Sequence, residues 1–266
     1  YVSMEYYAYH TVHELFLYGD LTLQQWIDIF NRIRFVCDDF KRYTVQDAGI
    51  RSALEEMYLT KTLQRFEKMK KDERFITFFE SPIVVNGKRY LPLNEIIIAL
   101  EKAIPEMLYD VDTFNIIHGD LCFANIMVDS NFSFIKVIDP RGKFGTYDIY
   151  GDFRYELAKL FHSVDGKYDF IIKDLFDLNY NSEAACINYR IQDRKREFDL
   201  YKVFLSTFAT EIDSDLKKIE LIEALLFLSM IPLHGESIRH QMVMLGTGLE
   251  ILNRVIDIQI GEKKDV

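Results

Sequence analysis

The chain has 266 residues, of which 49% are hydrophobic and 28% charged, and its formal net charge is −10. This length suits one large domain, or one domain with a subdomain, and the apolar fraction excludes a disordered protein. The negative charge disfavours a nucleic-acid-binding surface, which needs clustered Lys and Arg, and it mildly favours a cationic substrate.

The three cysteines, Cys37, Cys122 and Cys186, are far apart in the sequence. A sparse, odd set of this kind predicts a reducing compartment, without a disulfide framework or a metal–thiolate site. The longest apolar run, 224–233, is interrupted by Ser229 and Pro232 and is too short to span a bilayer. We therefore predict a cytoplasmic protein without membrane insertion.

Apolar residues at three- and four-residue steps predict two long helices early in the chain. The first covers 21–43, and Thr22 with Gln25 fits a capping box at its start. The second lies within 50–70. Both helices have one apolar face, so we expect them to pack against a common core.

Turn residues then predict a hairpin and a third helix. Asn86-Gly87 is a favoured two-residue turn, so 83–91 is predicted to form a β-hairpin. A helix is predicted over 93–108, and Pro105 should kink it or split it.

Short strands are predicted to surround a polar loop in the middle of the chain. We expect strands at 114–117, 126–128 and 134–138, with a loop at 119–124 and a turn at 129–131. A helix is expected to begin near Asp152, two strands to lie around 176–180 and 185–191, and the last seventy residues to be mostly helical. The fold class predicted is therefore α+β, mainly helical, with a small β-hairpin insertion.

The residue types in this insertion suit phosphoryl transfer to an alcohol. That reaction needs a carboxylate to accept the hydroxyl proton and hard oxygen ligands to hold Mg²⁺ on nucleotide phosphates. In the string from His118 to Asn125, Asp120 is the candidate base, and Asn125 is a candidate Mg²⁺ ligand. Asp139, after the third strand, is the second candidate ligand. Because the two strands between these ligands form a hairpin, both ligands should return to one edge of the sheet.

His118-Gly119-Asp120-Leu121, with Asn125 five residues after Asp120, resembles the catalytic loop of protein kinases. Gly119 stands where protein kinases usually have Arg. In this respect the chain is similar to the aminoglycoside phosphotransferase and choline kinase superfamily. The string Ile138-Asp139-Pro140-Arg141 and the segment 151–158 resemble the same superfamily. Glu156 replaces the second Asp usual in that segment. The resemblance extends from about Met4 onward and is strongest between His118 and Ala158.

The resemblance implies a kinase-like C-terminal lobe whose hairpin insertion carries the catalytic loop. Residues 1–9 would then be the end of a small-lobe strand and the hinge, and 10–266 the large lobe. Within that lobe, 114–162 would be the catalytic core and 192–258 a helical region on the substrate side. Glu5, Tyr6 and Tyr7 would lie at the nucleotide.

The function implied is transfer of the terminal phosphoryl group of ATP or GTP, with Mg²⁺, to a hydroxyl of a small molecule. The acceptor stays open among an amino alcohol such as choline, an aminoglycoside and a sugar, and the oligomeric state stays open as well. The alternative is a non-catalytic binding module on a kinase fold, or a truncated inactive fragment. The intact metal pair disfavours this alternative, whereas the lack of a recognisable small lobe favours it.

A kinase-like enzyme also needs a small lobe with a Gly-rich loop and a strand Lys. Neither is found before His118, where Lys41, Lys61 and Lys68 all fall in helical patterns. We expect the small lobe to precede this chain in a longer protein, and the chain alone to fold but bind nucleotide weakly.

Three further residues near the loop have predicted roles. We expect His118 to brace the loop by hydrogen bonds. Asp152 should cap the following helix or anchor the amides of the catalytic loop. Arg141 is expected to meet either a phosphate or a structural ion-pair partner.

The remaining histidines and the acidic residues of the C-terminal region are interpreted as structural or solvated. The histidines have no metal-ligand spacing that we recognise. The acidic residues are weaker candidates for binding a cationic substrate. These two groups are His10, His13, His162, His234 and His240, and Glu211, Asp213, Asp215 and Glu236.

Overall fold

The structure is a computed structural model that describes residues 7–261. About 54% of the chain is helical, with small sheets, so the prediction of a mainly helical α+β fold is confirmed. No helix within 7–261 is both long and apolar enough to cross a membrane. The α-helices are α1 Val12–Tyr18, α2 Leu23–Lys41, α3 Ile50–Leu54, α4 Lys61–Lys70, α5 Ile76–Glu80, α6 Leu93–Leu108, α7 Phe153–Val164, α8 Tyr168–Ile171, α9 Leu200–Thr207, α10 Ala209–Ile212, α11 Leu216–Met230 and α12 Ile238–Val255.

Within residues 7–261, ten short strands form three separate sheets, with strand orders β1-β6-β7, β2-β5-β8 and β4-β3-β10-β9. The sequence predicted most of these strands, but it did not predict how they are divided among three sheets. The strands are β1 His10–Thr11, β2 Thr44–Val45, β3 Ile83–Val85, β4 Lys88–Tyr90, β5 Phe114–Ile116, β6 Ile126–Val128, β7 Ile135–Val137, β8 Tyr150–Gly151, β9 Phe176–Asn181 and β10 Cys186–Ile191.

Helix α2 begins where its capping residues predict. Thr22 accepts a hydrogen bond from the Gln25 amide, and the Gln25 side chain accepts one from the Thr22 amide. These two bonds satisfy backbone donors that a helix start leaves without partners. The apolar face of α2, which includes Trp26, Phe30 and Ile33, is buried in the core.

The helix predicted within 50–70 contains a π-helical segment that the apolar pattern does not reveal. Glu55–Thr60 is π-helical and joins α3 to α4 without a break. Such a segment rotates the following residues relative to a regular α-helix, and π segments are frequent at functional sites. The first residue after it is Lys61.

Helix α6 runs without interruption through Pro105, so the prediction of a split there was wrong. Proline removes one backbone hydrogen bond of the helix. Here Leu100, Ile104 and Leu108 are fully buried on both sides of Pro105. Packing of that face against the core holds the two parts of the helix together.

The strands around the polar loop belong to two different sheets. β5, before the loop, pairs with β2 and β8, whereas β6 and β7, after it, form a hairpin. β1 extends this hairpin, with His10 opposite Val128 and Thr11 opposite Met127. The loop from Ile117 to Asn125 therefore bridges two sheets, and the helix α7 follows directly on β8.

The third sheet joins distant parts of the chain. The predicted hairpin at Asn86-Gly87 is confirmed as β3 and β4, and β3 pairs in parallel with β10, about a hundred residues later. The outer edge of β4 is covered by residues 258–260. The Leu91 amide donates to the Ile258 carbonyl, and the Ile260 amide donates to the Arg89 carbonyl.

Helices α7 and α11 lie at the centre of the molecule. Every residue of α7 from Arg154 to Val164 is buried, and so is every residue of α11 from Ile219 to Ser229. Polar side chains on these helices must therefore find partners inside the protein, since burial without a partner is costly.

Candidate functional site

The β6–β7 hairpin brings Asn125 and Asp139 to the same open end, as the sequence predicts. Asn125 ends a 3₁₀ turn immediately before β6, and Ile138 follows β7. The Ile138 amide donates to the Asn125 carbonyl at 3.0 Å, which extends the hairpin pairing by one step. Asp139 is the next residue, with φ of 56°, a left-handed conformation that Asp adopts more readily than most residues.

Asp120 is tied to Asn125 by the shape of the loop. The Asn125 side-chain Nδ2 donates to the Asp120 carbonyl at 2.9 Å and to Asp120 Oδ2 at 3.2 Å. The amide nitrogen of Asn125 is therefore used within the loop, which leaves its Oδ1 as the atom a cation would bind. Asp120 and Asp139 both line one cavity.

Lys159 on α7 forms an ion pair with Asp120, and sequence reasoning missed it. Its Nζ lies 2.7 Å from Asp120 Oδ1. Burial alone would lower the pKa of Lys159, but its interactions with Tyr155 and with the Asp120 carboxylate outweigh burial and raise the pKa. Lys159 therefore stays positively charged beside the candidate base. The available signal was a lone Lys inside the apolar stretch 157–161.

Glu156 holds the backbone of the loop that carries Asp120, which was one of the two roles expected of Asp152, the other being a helix cap. Its two carboxylate oxygens accept the His118 amide at 2.9 Å and the Gly119 amide at 2.7 Å. Burial raises the pKa of Glu156 to about 7, although the two amides favour its charged form. Asp152 instead caps α7 by accepting the Arg154 amide at 2.9 Å.

The Asp152 carboxylate also belongs to a buried polar network below the loop. It pairs with Arg154 at 2.8 Å and accepts the Tyr58 hydroxyl at 2.9 Å. Arg154 in turn meets Asp110 at 2.8 Å and donates to the Leu108 carbonyl at 2.8 Å. The network fixes the start of α7, and therefore the positions of Glu156 and Lys159.

His118 braces the loop through both ring nitrogens, as expected. Nε2 lies 2.9 Å from the Ile138 carbonyl, and Nδ1 accepts the Asp120 amide at 3.3 Å. These partners require Nε2 to carry the proton and Nδ1 to be bare, the neutral form of the ring. Burial lowers the pKa of His118, in agreement with that form.

Gly119 and Arg141 lie against each other under this loop. Gly119 has φ of 78°, and a Cβ there would lie 3.0 Å from Arg141 Cβ. The Arg141 amide donates to the His118 carbonyl at 2.8 Å, and its guanidinium donates to the Tyr155 hydroxyl at 3.0 Å. No carboxylate within 7–261 forms an ion pair with Arg141, so the structural ion pair considered from the sequence is not formed there.

A cavity of about 430 Å³ opens beside Asp120 and Asp139. Basic side chains from three elements face it, and α11 with the turn after it supplies an apolar wall. Its lining residues are Lys61, Arg65, Asp120, Asp139, Pro140, Arg141, Tyr155, Lys159, Leu226, Ser229, Met230 and Leu233. A second cavity of about 290 Å³ also has Lys61, Arg65 and Arg141 in its lining, together with Lys143.

Lys61 and Arg65 are the other site residues that sequence reasoning missed. Burial lowers the pKa of Lys61 to about 7, and the positive charges of Arg141, Lys159 and Arg65 lower it further. Lys61 and Arg65 are four residues apart on α4, an arrangement of like charges that destabilises a helix. That spacing was the available signal.

Of the three residues predicted at the nucleotide, Glu5 and Tyr6 lie outside the described residues. Tyr7 stacks on Tyr9, with ring centres 5.8 Å apart, and Tyr9 meets Phe134 edge-on at 5.4 Å. Lys136 Nζ lies 4.7 Å from the centre of the Tyr7 ring. These aromatic residues therefore lie beside the turn end of the β6–β7 hairpin, opposite the end that carries Asn125 and Asp139.

One group of histidines is closer to metal-ligand geometry than the sequence suggested. Ligand atoms of His234, Glu236 and His240 all lie within 4.8 Å of one another. His240 also contacts Asp174 at 3.0 Å. None of these residues lines the cavity that contains Asp120.

Two acidic candidates for a cationic substrate already have partners. Glu211 lies 3.6 Å from Lys41, and Asp215 lies 2.9 Å from Lys218. Both carboxylates therefore have a basic neighbour within the protein, although Glu211 Oε2 is buried and has no hydrogen-bond partner among the described residues.

Comparison with known proteins does not identify a family. No protein-family model matches the chain, and no curated protein matches it.

Proposed function

We propose that the protein is a phosphotransferase that moves the terminal phosphoryl group of ATP or GTP to a hydroxyl of a small molecule. We also propose that the described fold is the large lobe of a protein-kinase-like enzyme. The observation that carries both proposals is the meeting of Asp120, Asn125 and Asp139 at the open end of one hairpin. The alternative of a non-catalytic module gains no support from this arrangement.

The oxygen donors fit Mg²⁺. Asn125 Oδ1 and the Asp139 carboxylate are hard ligands, and Mg²⁺ is usually held by one or two such groups together with substrate phosphates and water. When bound, Mg²⁺ would neutralise charge on the phosphates. The chain itself supplies the remaining parts, since phosphoryl transfer depends mainly on positioning and charge stabilisation.

In this proposal Asp120 orients the acceptor hydroxyl and accepts its proton. Lys159 and Asn125 fix the two oxygens of the Asp120 carboxylate. Because both oxygens of the carboxylate are already held in place, little further orientational freedom is lost when the acceptor binds. The carboxylate can therefore hold the acceptor hydroxyl in one orientation toward the phosphorus. Glu156 and His118 are positioning residues, because they hold the loop and not the substrate.

The first test is Asp120→Asn in the intact protein, assayed with nucleotide and a panel of hydroxyl acceptors. We expect kcat to fall by roughly 10²–10⁴, the usual loss when a general base is removed. Asp148→Asn, an exposed carboxylate on the loop after Asp139, is the matched control and should keep full activity. Turnover of Asp120→Asn close to that of the control would refute the role of Asp120.

A second test separates metal binding from acceptor binding. Asp139→Ala should weaken binding of Mg²⁺-nucleotide on the order of tenfold or more, because it removes one of two protein ligands. Calorimetry with and without Mg²⁺ measures this loss, with Asp148→Ala as the control. If the two variants bind Mg²⁺-nucleotide equally well, Asp139 has only a structural role.

A further inference from the structure

The cavity beside Asp120 is lined by more basic residues than its two carboxylates, Asp120 and Asp139, can neutralise. Lys61, Arg65, Arg141 and Lys159 face the same cavity as Asp120 and Asp139. Only Lys159 has a carboxylate partner there, at 2.7 Å from Asp120. Within residues 7–261, no carboxylate forms an ion pair with any of the other three.

This excess is unusual because the protein as a whole is acidic. The chain has 42 Asp and Glu residues against 32 Lys and Arg, so acidic partners are abundant in the sequence. The cavity is nevertheless lined by half-buried Lys61 and Arg65 and by exposed Arg141. Burial lowers the pKa of Lys61, and repulsion from the neighbouring positive charges lowers it further. Perturbed groups that gather in a cleft mark functional sites, and a cluster of cations of this kind is stabilised by a bound anion.

We propose that the acceptor is anionic, with a phosphate or carboxylate group held by Lys61, Arg65 and Arg141 while its hydroxyl faces Asp120. This inference rests on the proposed phosphotransfer. It also reverses the preference for a cationic substrate that the net charge alone suggested.

The anion in this site is the acceptor and not the nucleotide, because of where the two ends of the hairpin lie. The aromatic residues Tyr7 and Tyr9 border the turn end, and Asn125 and Asp139 lie at the open end. The three residue pairs between these ends span about 10 Å. A nucleotide laid along the hairpin from these aromatic residues would bring its terminal phosphate to Asn125 and Asp139, at the edge of the cavity that Asp139 and the basic residues line.

The shape of the cavity suits a small acceptor with an anionic group. Leu226, Met230 and Leu233 form an apolar wall, which can contact the carbon skeleton of a sugar or a similar compound. The second cavity shares Lys61, Arg65 and Arg141, so these three residues lie between the two cavities and contribute to both. Guanidinium groups bind phosphate and carboxylate through paired hydrogen bonds, which fixes the orientation of the acceptor.

The test measures binding without nucleotide, so it does not depend on catalysis. Calorimetry would compare inorganic phosphate and acetate, and then glucose, glucosamine and glucose 6-phosphate, with the intact protein. We expect phosphate or acetate to bind, and glucose 6-phosphate to bind at least tenfold more tightly than glucose or glucosamine. The comparison of phosphate with acetate identifies which anion the site prefers. Tighter binding of glucosamine, or no binding of any anion, would overturn the proposal.

Variants of α4 assign the site. Lys61→Met and Arg65→Met should each weaken anion binding about tenfold, because each removes a charged hydrogen-bond donor. Lys68→Met, an exposed lysine on the same helix, should have no effect. Affinity for Mg²⁺-nucleotide should be unchanged in all three variants. If Lys61→Met and Arg65→Met instead weaken nucleotide binding and leave anion binding intact, the cations serve the nucleotide and the acceptor assignment is wrong.

Discussion

Single residues in the loop that carries Asp120 have requirements that come from the backbone as well as from side-chain chemistry. Gly119 adopts φ of 78° and lies against Arg141, while its amide donates to the buried Glu156 carboxylate. Any side chain at position 119 would strain the backbone and push on Arg141. Position 119 therefore requires glycine for steric reasons in this protein.

Gly119→Ala should lower the free energy of unfolding by more than the usual cost of a left-handed residue, which is about 1–2 kcal/mol. Gly87→Ala is the matched control, because Gly87 also has a positive φ of 82° but has open space around its Cβ position. Urea unfolding of both variants measures the difference. If both variants lose the same free energy of unfolding, Arg141 moves away from the added methyl group without an energetic cost.

Local signals explain which parts of the site the sequence could predict. The hairpin and the order of its residues place Asn125 and Asp139, since both depend on neighbours within about fifteen residues. Lys159, Glu156 and Lys61 could not be placed, because their partners lie far away in the sequence. Each of them has the sequence pattern of an ordinary helical residue, and only the packing of its helix in the folded protein brings it to the site.

At the scale of elements, the N-terminus of α7 supports the whole loop. Asp152 caps the helix and is the centre of a buried network with Arg154 and Tyr58. The sequence predicted the cap, which is a local pattern. It did not predict the network, whose members come from three different segments.

Asp152→Ala should cost about 3–5 kcal/mol of stability, because it leaves the buried Arg154 charge partly uncompensated. Asp199→Ala removes a cap of the same kind at α9, where the Asp199 side chain accepts the Lys202 amide at an exposed site. Loss of a cap alone costs about 1 kcal/mol. Thermal or urea unfolding compares the two variants, and similar losses would mean that the network adds nothing to the cap.

The π segment before Lys61 shows why element boundaries are easier to predict than side-chain directions. The apolar pattern indicated one helix over 50–70, and one continuous helical stretch is found. The extra residue in the π turn changes the direction of every later side chain. Lys61 and Arg65 face the cavity as a result, a consequence that an ideal helical wheel does not give.

At the scale of the whole molecule, buried acidic groups make stability depend on pH. Glu223 on α11 is fully buried, and neither carboxylate oxygen has a hydrogen bond of normal geometry to a described residue. Burial raises the pKa of Glu223 well above its ordinary value, and the nearby Gly166 amide and Arg254 offset this only in part. The folded protein thus keeps a proton that the unfolded chain releases above about pH 4.5.

Stability should therefore fall as pH rises above that value, and Glu223→Gln should reduce the fall. We expect the variant to match the parent near pH 4 and to be more stable by about 1–3 kcal/mol at pH 8. Part of the slope should remain, because Glu156 also has a raised pKa. Glu197→Gln, an exposed residue, should leave the profile unchanged. Parallel profiles for Glu223→Gln and the parent would show that Glu223 does not titrate in this way.

Net charge is a whole-molecule quantity, and here it differs in sign from the basic side chains that line the cavity at Asp120. A charge of −10 describes the average surface, whereas the cavity at Asp120 is lined by four basic residues. Only the arrangement of α4, α7 and the loop after β7 brings these residues together. The anionic acceptor that we propose therefore depends on a local cluster that composition cannot reveal.

The covering of β4 by residues 258–260 has a consequence for synthesis of the protein. A ribosome makes the β3–β4 hairpin about 170 residues before it makes the segment that covers it. β10, the neighbour of β3, also appears about a hundred residues after the hairpin. During that interval both sides of the hairpin expose unpaired amides and carbonyls, which are sites for aggregation between chains. The nascent chain is therefore vulnerable to aggregation between synthesis of the hairpin and synthesis of residues 258–260, and chaperone binding during that interval would favour its correct folding.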